Sequence, residues 1–273
     1  MKKILTFAVC CLYAATAYSA PEAELWDIWD ADKSTNTSSI PHADWQTFLD
    51  TYVVPAQDGI NRVDYAGVSQ SEGRALLKRY IEASTAIDPR TYSKTEQFAY
   101  WINLYNAVTI DVVLNYPNKN SILRMGERFL AIGPWDDEVV TIAGEPVTLN
   151  DIEHRILRPI WQDHRIHFAV NCASIGCPNL GQTAYTADNI EALLDQAEMD
   201  YLNHPRGIEI VNDSKLQLSS IFKWYRSDFA DSEETLLRDY VAKHRPDVNA
   251  LLQAGNRIRV DYEYDWSLNR PEK

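Results

Sequence analysis

One stretch limits the fold more than any other: residues 93–117, SKTEQFAYWINLYNAVTIDVVLNYP. Ser93 followed three residues later by Glu96 is a capping-box pattern, and Pro117 cannot continue a helix, so the sequence predicts a helix over 95–115. Phe98, Trp101, Ile102, Tyr105, Val108, Val112 and Val113 make it apolar around much of its circumference. A helix of that kind has no face to give to water and must sit at the centre of a core. Everything else in the chain has to pack around it.

The flanking segments are shorter and mixed. Helices are expected at 44–54, 70–86, from Thr148 to about Leu157 with Pro159 as the stop, 186–202, 220–229, 233–244 and 248–254. EVVTIAGEPVTL reads as a hairpin, 208–211 and 216–218 as a second strand pair, and NRIRVDYEYDW as a closing strand. Residues 165–171 alternate in polarity and read as the best strand in the chain, with Arg165, His167 and Asn171 on one face. Strands and helices do not alternate regularly. The expectation is therefore a single α+β domain, a central buried helix on a small, mostly antiparallel sheet with several peripheral helices.

Residues 1–19, MKKILTFAVCCLYAATAYS, have two lysines, a short apolar core and small residues near the end, the layout of a secretory signal peptide. Residues 20–40 read as an exposed lead-in and 41–273 as the domain. Cleavage would remove Lys2 and Lys3 and no acid, taking the formal charge from −13 to −15. Such an acidic surface argues against nucleic acid, whose phosphates need a basic partner. No stretch after the leader reaches the roughly 18 apolar residues a membrane span requires. An exported chain is expected, periplasmic or secreted.

Cys10 and Cys11 lie in the leader, which leaves Cys172 and Cys177 in RIHFAVNCASIGCPNL. Three readings of that pair stand open. A disulfide suits an oxidising compartment, and Gly176 makes the short loop easy to close. A zinc site would take both thiolates with two of His154, His164 and His167, at a loose cysteine spacing. A nucleophile would need its thiol acidified by an imidazole or a helix start. In a strand, His167 and Cys172 would face opposite ways, so the two meet only if the chain turns at Asn171.

Two further groups carry polar chemistry. Asn103 and Asn106 share a face of the central helix; they either pin a neighbouring backbone or line a pocket. In LNDIEHRILRP, Glu153 and His154 are adjacent and point about 100° apart, while His154 and Arg158 share a face. That group reads either as a boundary ion-pair cluster or as part of a site.

YWINLYNAVTI, TLNDIEHRILRP and RIHFAVNCASIGCPNL, in that order over about 93–201, resemble the uncharacterised domain-of-unknown-function family 547. The family's pattern falls on Trp101, Asn103, Asn106, Glu153, His154, His167 and Cys172, completed by Ser174, Cys177 and Pro178. The family name implies no activity. It does include plant proteins of reducing compartments, which implies a role for the thiols beyond a staple.

The expected function is a thiol-dependent hydrolase or acyl transferase on an amide or ester bond. Cys172 is the nucleophile, His167 or His154 the base, and Glu153 or an asparagine the orienting group. Trp101, Asn103, Asn106, Arg158, Ser174 and Cys177 are expected to line the substrate site, with backbone N–H groups near Ser174 as an oxyanion hole. The ligand would be a small molecule or peptide, and no cofactor is required apart from the zinc reading. The alternative is a non-catalytic binding domain with a Cys172–Cys177 disulfide or a zinc site.

Overall fold

A computed structural model describes residues 20–33, 35–128, 131–255 and 257–271. The expected leader, residues 1–19, lies outside the described residues.

The helix Lys94–Asn115 runs through the centre, with 18 of its 22 residues buried. Ser93 caps it by accepting from the Glu96 N–H at 3.3 Å. The other half of the expected capping box does not form, because Glu96 Oε2 accepts the Ile40 N–H at 2.9 Å. Glu96 thus ties the lead-in to the core. Residues 20–40 are exposed along most of their length but are anchored at Trp29 and Ile40, which are buried.

Helix Gly73–Thr85 packs on the central helix, and Ala43–Tyr52 packs on Gly73–Thr85. The strands form three small sheets, so the fold is α+β without the one sheet the sequence suggests. Val53–Val54 pairs with Arg62–Val63, and the predicted hairpin forms between Glu138–Ile142 and Glu145–Thr148. The third sheet joins Ile208–Asn212 antiparallel to Lys215–Ser219 and that strand in parallel to Arg259–Glu263. Two hydrophobic clusters result. One surrounds the central helix, and the other gathers Phe168 with Tyr201, Leu218, Phe222, Leu236 and Val241 of the C-terminal third.

Two local expectations are overturned. Residues 165–171 are not a strand: Ile166–Ala169 is a short helix, started by Asp163, whose carboxylate accepts the Arg165 N–H. Ile166, His167, Phe168, Ala169 and Val170 are all buried, and the segment sits between the two clusters. A segment buried on every side has no solvent face to set its period, so alternation misleads. Nor does Pro159 stop its helix. Asp151–Leu157 is a π-helix, with Arg158 N–H reaching back to Glu153 O, and it continues as the α-helix Arg158–Trp161.

In the widened pattern the partner of the His154 carbonyl would be the N–H that Pro159 lacks. The lead-in supplies the bond: the Glu24 N–H donates to His154 O and the Trp26 N–H to Arg155 O, both at 3.0 Å. No helix among the described residues is long and apolar enough to cross a membrane.

Candidate active site

Where the two clusters meet, a narrow cleft of about 60 Å³ is lined by Glu153, His154, His167, Cys172 and Cys177. Tyr105, Trp135, Trp224, Tyr225, Tyr264 and Trp266 form an aromatic wall, and Ala20 and Pro21 close one edge.

The thiol loop is held at both ends by one side chain. Asn171 Oδ1 accepts the Ala173 N–H at 2.9 Å, and its Nδ2 donates to Pro178 O at 2.6 Å. Ala173 is left-handed, with φ of 60°, a conformation that costs an alanine roughly 1–2 kcal/mol. Pairing with the C-terminal tail holds it there: Asn269 N–H donates to Ala173 O, Ile175 N–H to Ser267 O and Gly176 N–H to Asp265 O. A Cβ on Gly176 would come within 2.8 Å of Asp265 N, so only glycine permits this approach.

Cys172 and Cys177 are free, with their sulfurs 3.1 Å apart. No disulfide joins them, so the alternative reading of the pair as a staple is not met. Cys172 Sγ also lies 3.0 Å from Tyr264 Oη and 3.2 Å from Ser174 Oγ. Burial pushes the Cys172 thiol up, but hydrogen bonds from Cys177, Ser174 and Tyr264 outweigh it and hold the thiol below its ordinary value. Burial and the neighbouring Cys172 push Cys177 well up. The outer thiol therefore ionises first, and the inner one keeps its proton.

Neither histidine is among the hydrogen-bond partners of the Cys172 sulfur. His167 stacks on Tyr225, with ring centroids 3.9 Å apart, and its Nε2 is 2.7 Å from Asp228 Oδ2. Its Nδ1 is buried without a hydrogen-bond partner, 3.7 Å from Glu153 Oε1. Arg158 grips Asp228 through Nε at 2.6 Å and Nη2 at 2.9 Å, while its Nη1 reaches His154 Nδ1 at 3.1 Å and Pro21 O at 2.8 Å.

Glu153 accepts from the Tyr105 hydroxyl at 3.0 Å. Burial would raise Glu153, but the facing His154, His167 and Arg158 hold it down to about 2. Burial raises Asp228 too, and hydrogen bonds from His167 and Arg158 hold it below the usual carboxylate range. Burial brings His154 down to about 4, against the pull of Glu153, so that ring is neutral at pH 7.

The cleft thus gathers Cys172, His167, His154, Glu153 and Cys177, with Ser174 directly behind the thiol and Arg158 behind the histidines. Three expected substrate-binding residues lie elsewhere. Asn103 exchanges both amide bonds with the Tyr185 backbone, and Asn106 holds Ala169 O and the Asn171 N–H. Trp101 is fully buried against Trp29 and Tyr100. All three scaffold the fold, and the amides do so because an unpaired buried one costs about 1–3 kcal/mol.

Arg158 has four of its five N–H donors engaged by protein groups. The backbone N–H groups of Cys172, Ala173, Ile175, Gly176 and Cys177 already have acceptors, so these five are not open to an oxyanion near Ser174. His164, one of the zinc candidates, binds Glu198 at 2.8 Å instead. Among the described residues no group of three or more His, Cys, Asp or Glu is placed to hold a metal ion.

The sequence missed Asp228, Tyr225 and Tyr264. Asp228 sits among three other acids in SDFADSEE, with nothing local to mark it.

Residues 89–202 match the family model described as "Protein of unknown function, DUF547". This is the family the three motifs resemble. The DUF547 segment carries both cysteines, Glu153, His154 and His167, while Asp228, Tyr225 and Tyr264 lie beyond it. No curated protein and no solved structure matches the chain.

Proposed function

We propose that the protein is an exported thiol-dependent hydrolase or acyl transferase acting on an amide or ester bond, with Cys172 as nucleophile and His167 as base. One observation carries this reading. An acidified thiol shares a cleft with an imidazole that is held at Nε2 by Asp228 and left without a partner at Nδ1. An ionised carboxylate only accepts, so Asp228 holds a His167 proton on Nε2, and Nδ1, which faces Glu153 Oε1 at 3.7 Å, is the nitrogen left to exchange a proton. Asp228, not Glu153, is the orienting group.

In the reaction the Cys172 proton passes to His167 Nδ1, through one water or after rotation of the thiol. Sulfur then bonds to the carbonyl carbon. The imidazolium lies between Asp228 and Glu153, whose carboxylates offset its charge. Collapse breaks the C–N or C–O bond, and the leaving group takes the proton from His167. Water or a second nucleophile then releases the acyl group from Cys172. The aromatic wall suits a small-molecule or peptide acyl group with an apolar or flat portion.

Intact-mass spectrometry after mixing with an aryl ester tests the proposal. A single acyl adduct on Cys172 is expected, with none in Cys172→Ser. Acylation that persists in Cys172→Ser, or no adduct at all, would overturn it. Counting thiols and zinc on the same sample separates the alternative of a non-catalytic binding domain, which requires a disulfide or about one equivalent of zinc.

A further inference from the structure

We infer that Arg158 is a positioning residue that gives the two histidines opposite roles, His167 to accept a proton and His154 to donate a hydrogen bond to the substrate carbonyl. The inference rests on the thiol reading above. It starts from what a guanidinium can do, which is donate only.

Arg158 Nη1 lies 3.1 Å from His154 Nδ1, so Nδ1 must carry the lone pair and the His154 proton must sit on Nε2. The other edge of the same guanidinium fixes Asp228 at two oxygens. Asp228 Oδ2 in turn takes the Nε2 proton of His167, which leaves Nδ1 as the nitrogen to exchange a proton. Both rings therefore carry hydrogen on Nε2, yet they offer a ligand different things. In His167 the Nδ1 atom has no hydrogen-bond partner. In His154 the lone pair is already occupied by Arg158, and the remaining polar atom is an N–H on a ring that lines the cleft.

That donor meets a need. A tetrahedral intermediate needs a hydrogen bond on its oxygen, and five backbone N–H groups of the thiol loop are already engaged. Neutral His154, burdened with no charge of its own, is placed to serve. Arg158 is 5 % exposed at its side chain, so its fork is fixed by the protein and not by solvent. Lysine in its place would keep the charge but could not bind Asp228 bidentately and His154 together.

Nitrogen-15 NMR of histidine-labelled protein at pH 7 reads the tautomers directly, whether or not turnover is seen. The wild type should show His154 protonated on Nε2 alone and His167 protonated on Nε2. Arg158→Lys should release His154 into a mixture of tautomers, and Asp228→Asn should disturb His167 while leaving His154 unchanged. Kinetically, Arg158→Lys and His154→Phe should each lower kcat for an aryl ester on the order of 10²-fold with KM little altered. A wild-type His154 protonated on Nδ1, or tautomers unmoved by Arg158→Lys, would overturn the inference. If Arg158→Lys does not fold, the wild-type and Asp228→Asn spectra still decide it. The expected tautomers in a protein that forms no acyl adduct would uphold the assignment of the rings and remove the thiol reading instead.

Discussion

The DUF547 segment and the C-terminal third contribute differently to the cleft. Residues 89–202 supply the groups that could react: Glu153, His154, His167, Cys172 and Cys177. Residues after 203 supply groups that set how those react. Asp228 orders the His167 proton, Tyr225 stacks on that ring, Tyr264 acidifies Cys172, and the tail 265–269 holds the thiol loop in its turn. Tuning groups come from both parts, since Cys177, Ser174 and Arg158 lie in the matched segment, while the carboxylate on His167 Nε2 and the phenol beside Cys172 come from beyond it. The matched segment taken alone would carry Cys172 and His167 without Tyr264 and Asp228.

The largest expected effect lies within the DUF547 segment. Cys172→Ser should abolish acyl-adduct formation and lower ester turnover by at least about 10³-fold, whereas Cys177→Ser should leave most of it. Mass spectrometry and initial rates decide between them, and equal losses would mean that the two thiols act as one unit.

Asp228→Asn tests the C-terminal contribution. It should cost about 10²–10⁴-fold in kcat/KM by releasing the His167 tautomer, with about 2 kcal/mol lost in urea unfolding. A wild-type rate in that variant would place the orienting role elsewhere.

Acid should weaken the site in two stages. The folded value of His154, about 4, and that of His42, also brought to about 4 by burial, lie below the unfolded value of about 6.5. The unfolded chain therefore binds these protons first, and stability falls as pH drops from about 6.5 to 4, by a few kcal/mol. Glu153 and Asp228 have depressed values, so their contribution is present above about pH 4 and is lost as pH falls toward 2. Urea midpoints at pH 7, 5 and 4 check the first stage; a flat profile contradicts it.

A subtler effect concerns Tyr264. The alkylation rate of Cys172 should rise with a midpoint below the ordinary thiol value, and Tyr264→Phe should move that midpoint upward by removing a donor to the thiolate. Asn103→Ala should leave alkylation and turnover unchanged while costing about 1–3 kcal/mol of stability, because it scaffolds Tyr185 and not the cleft. A selective loss of turnover would return Asn103 to the site.

Much of this molecule was written into local pattern. The central helix, its Ser93 cap, the hairpin over 138–148 and the α+β class follow from periodicity and capping chemistry, which act over a few residues. The same local rules misjudged 165–171, where both sides are buried, and Pro159, where a π-helix absorbs a residue that would end an α-helix. They also left Asn103 and Asn106 undecided between scaffold and pocket, since a helix face shows which residues align but not what lies across from them.

The sequence by itself named the polar side chains that gather in the cleft, because cysteine, histidine and glutamate bring their chemistry wherever they fold. Only the tertiary structure decided which carboxylate meets which histidine and which hydroxyl meets which thiol. Those pairings belong to hydrogen bonds spanning 61, 70 and 92 residues, between His167 and Asp228, Arg158 and Asp228, and Cys172 and Tyr264. Protonation is set by the nearest donor or acceptor in space, and distance along the chain has no bearing on it.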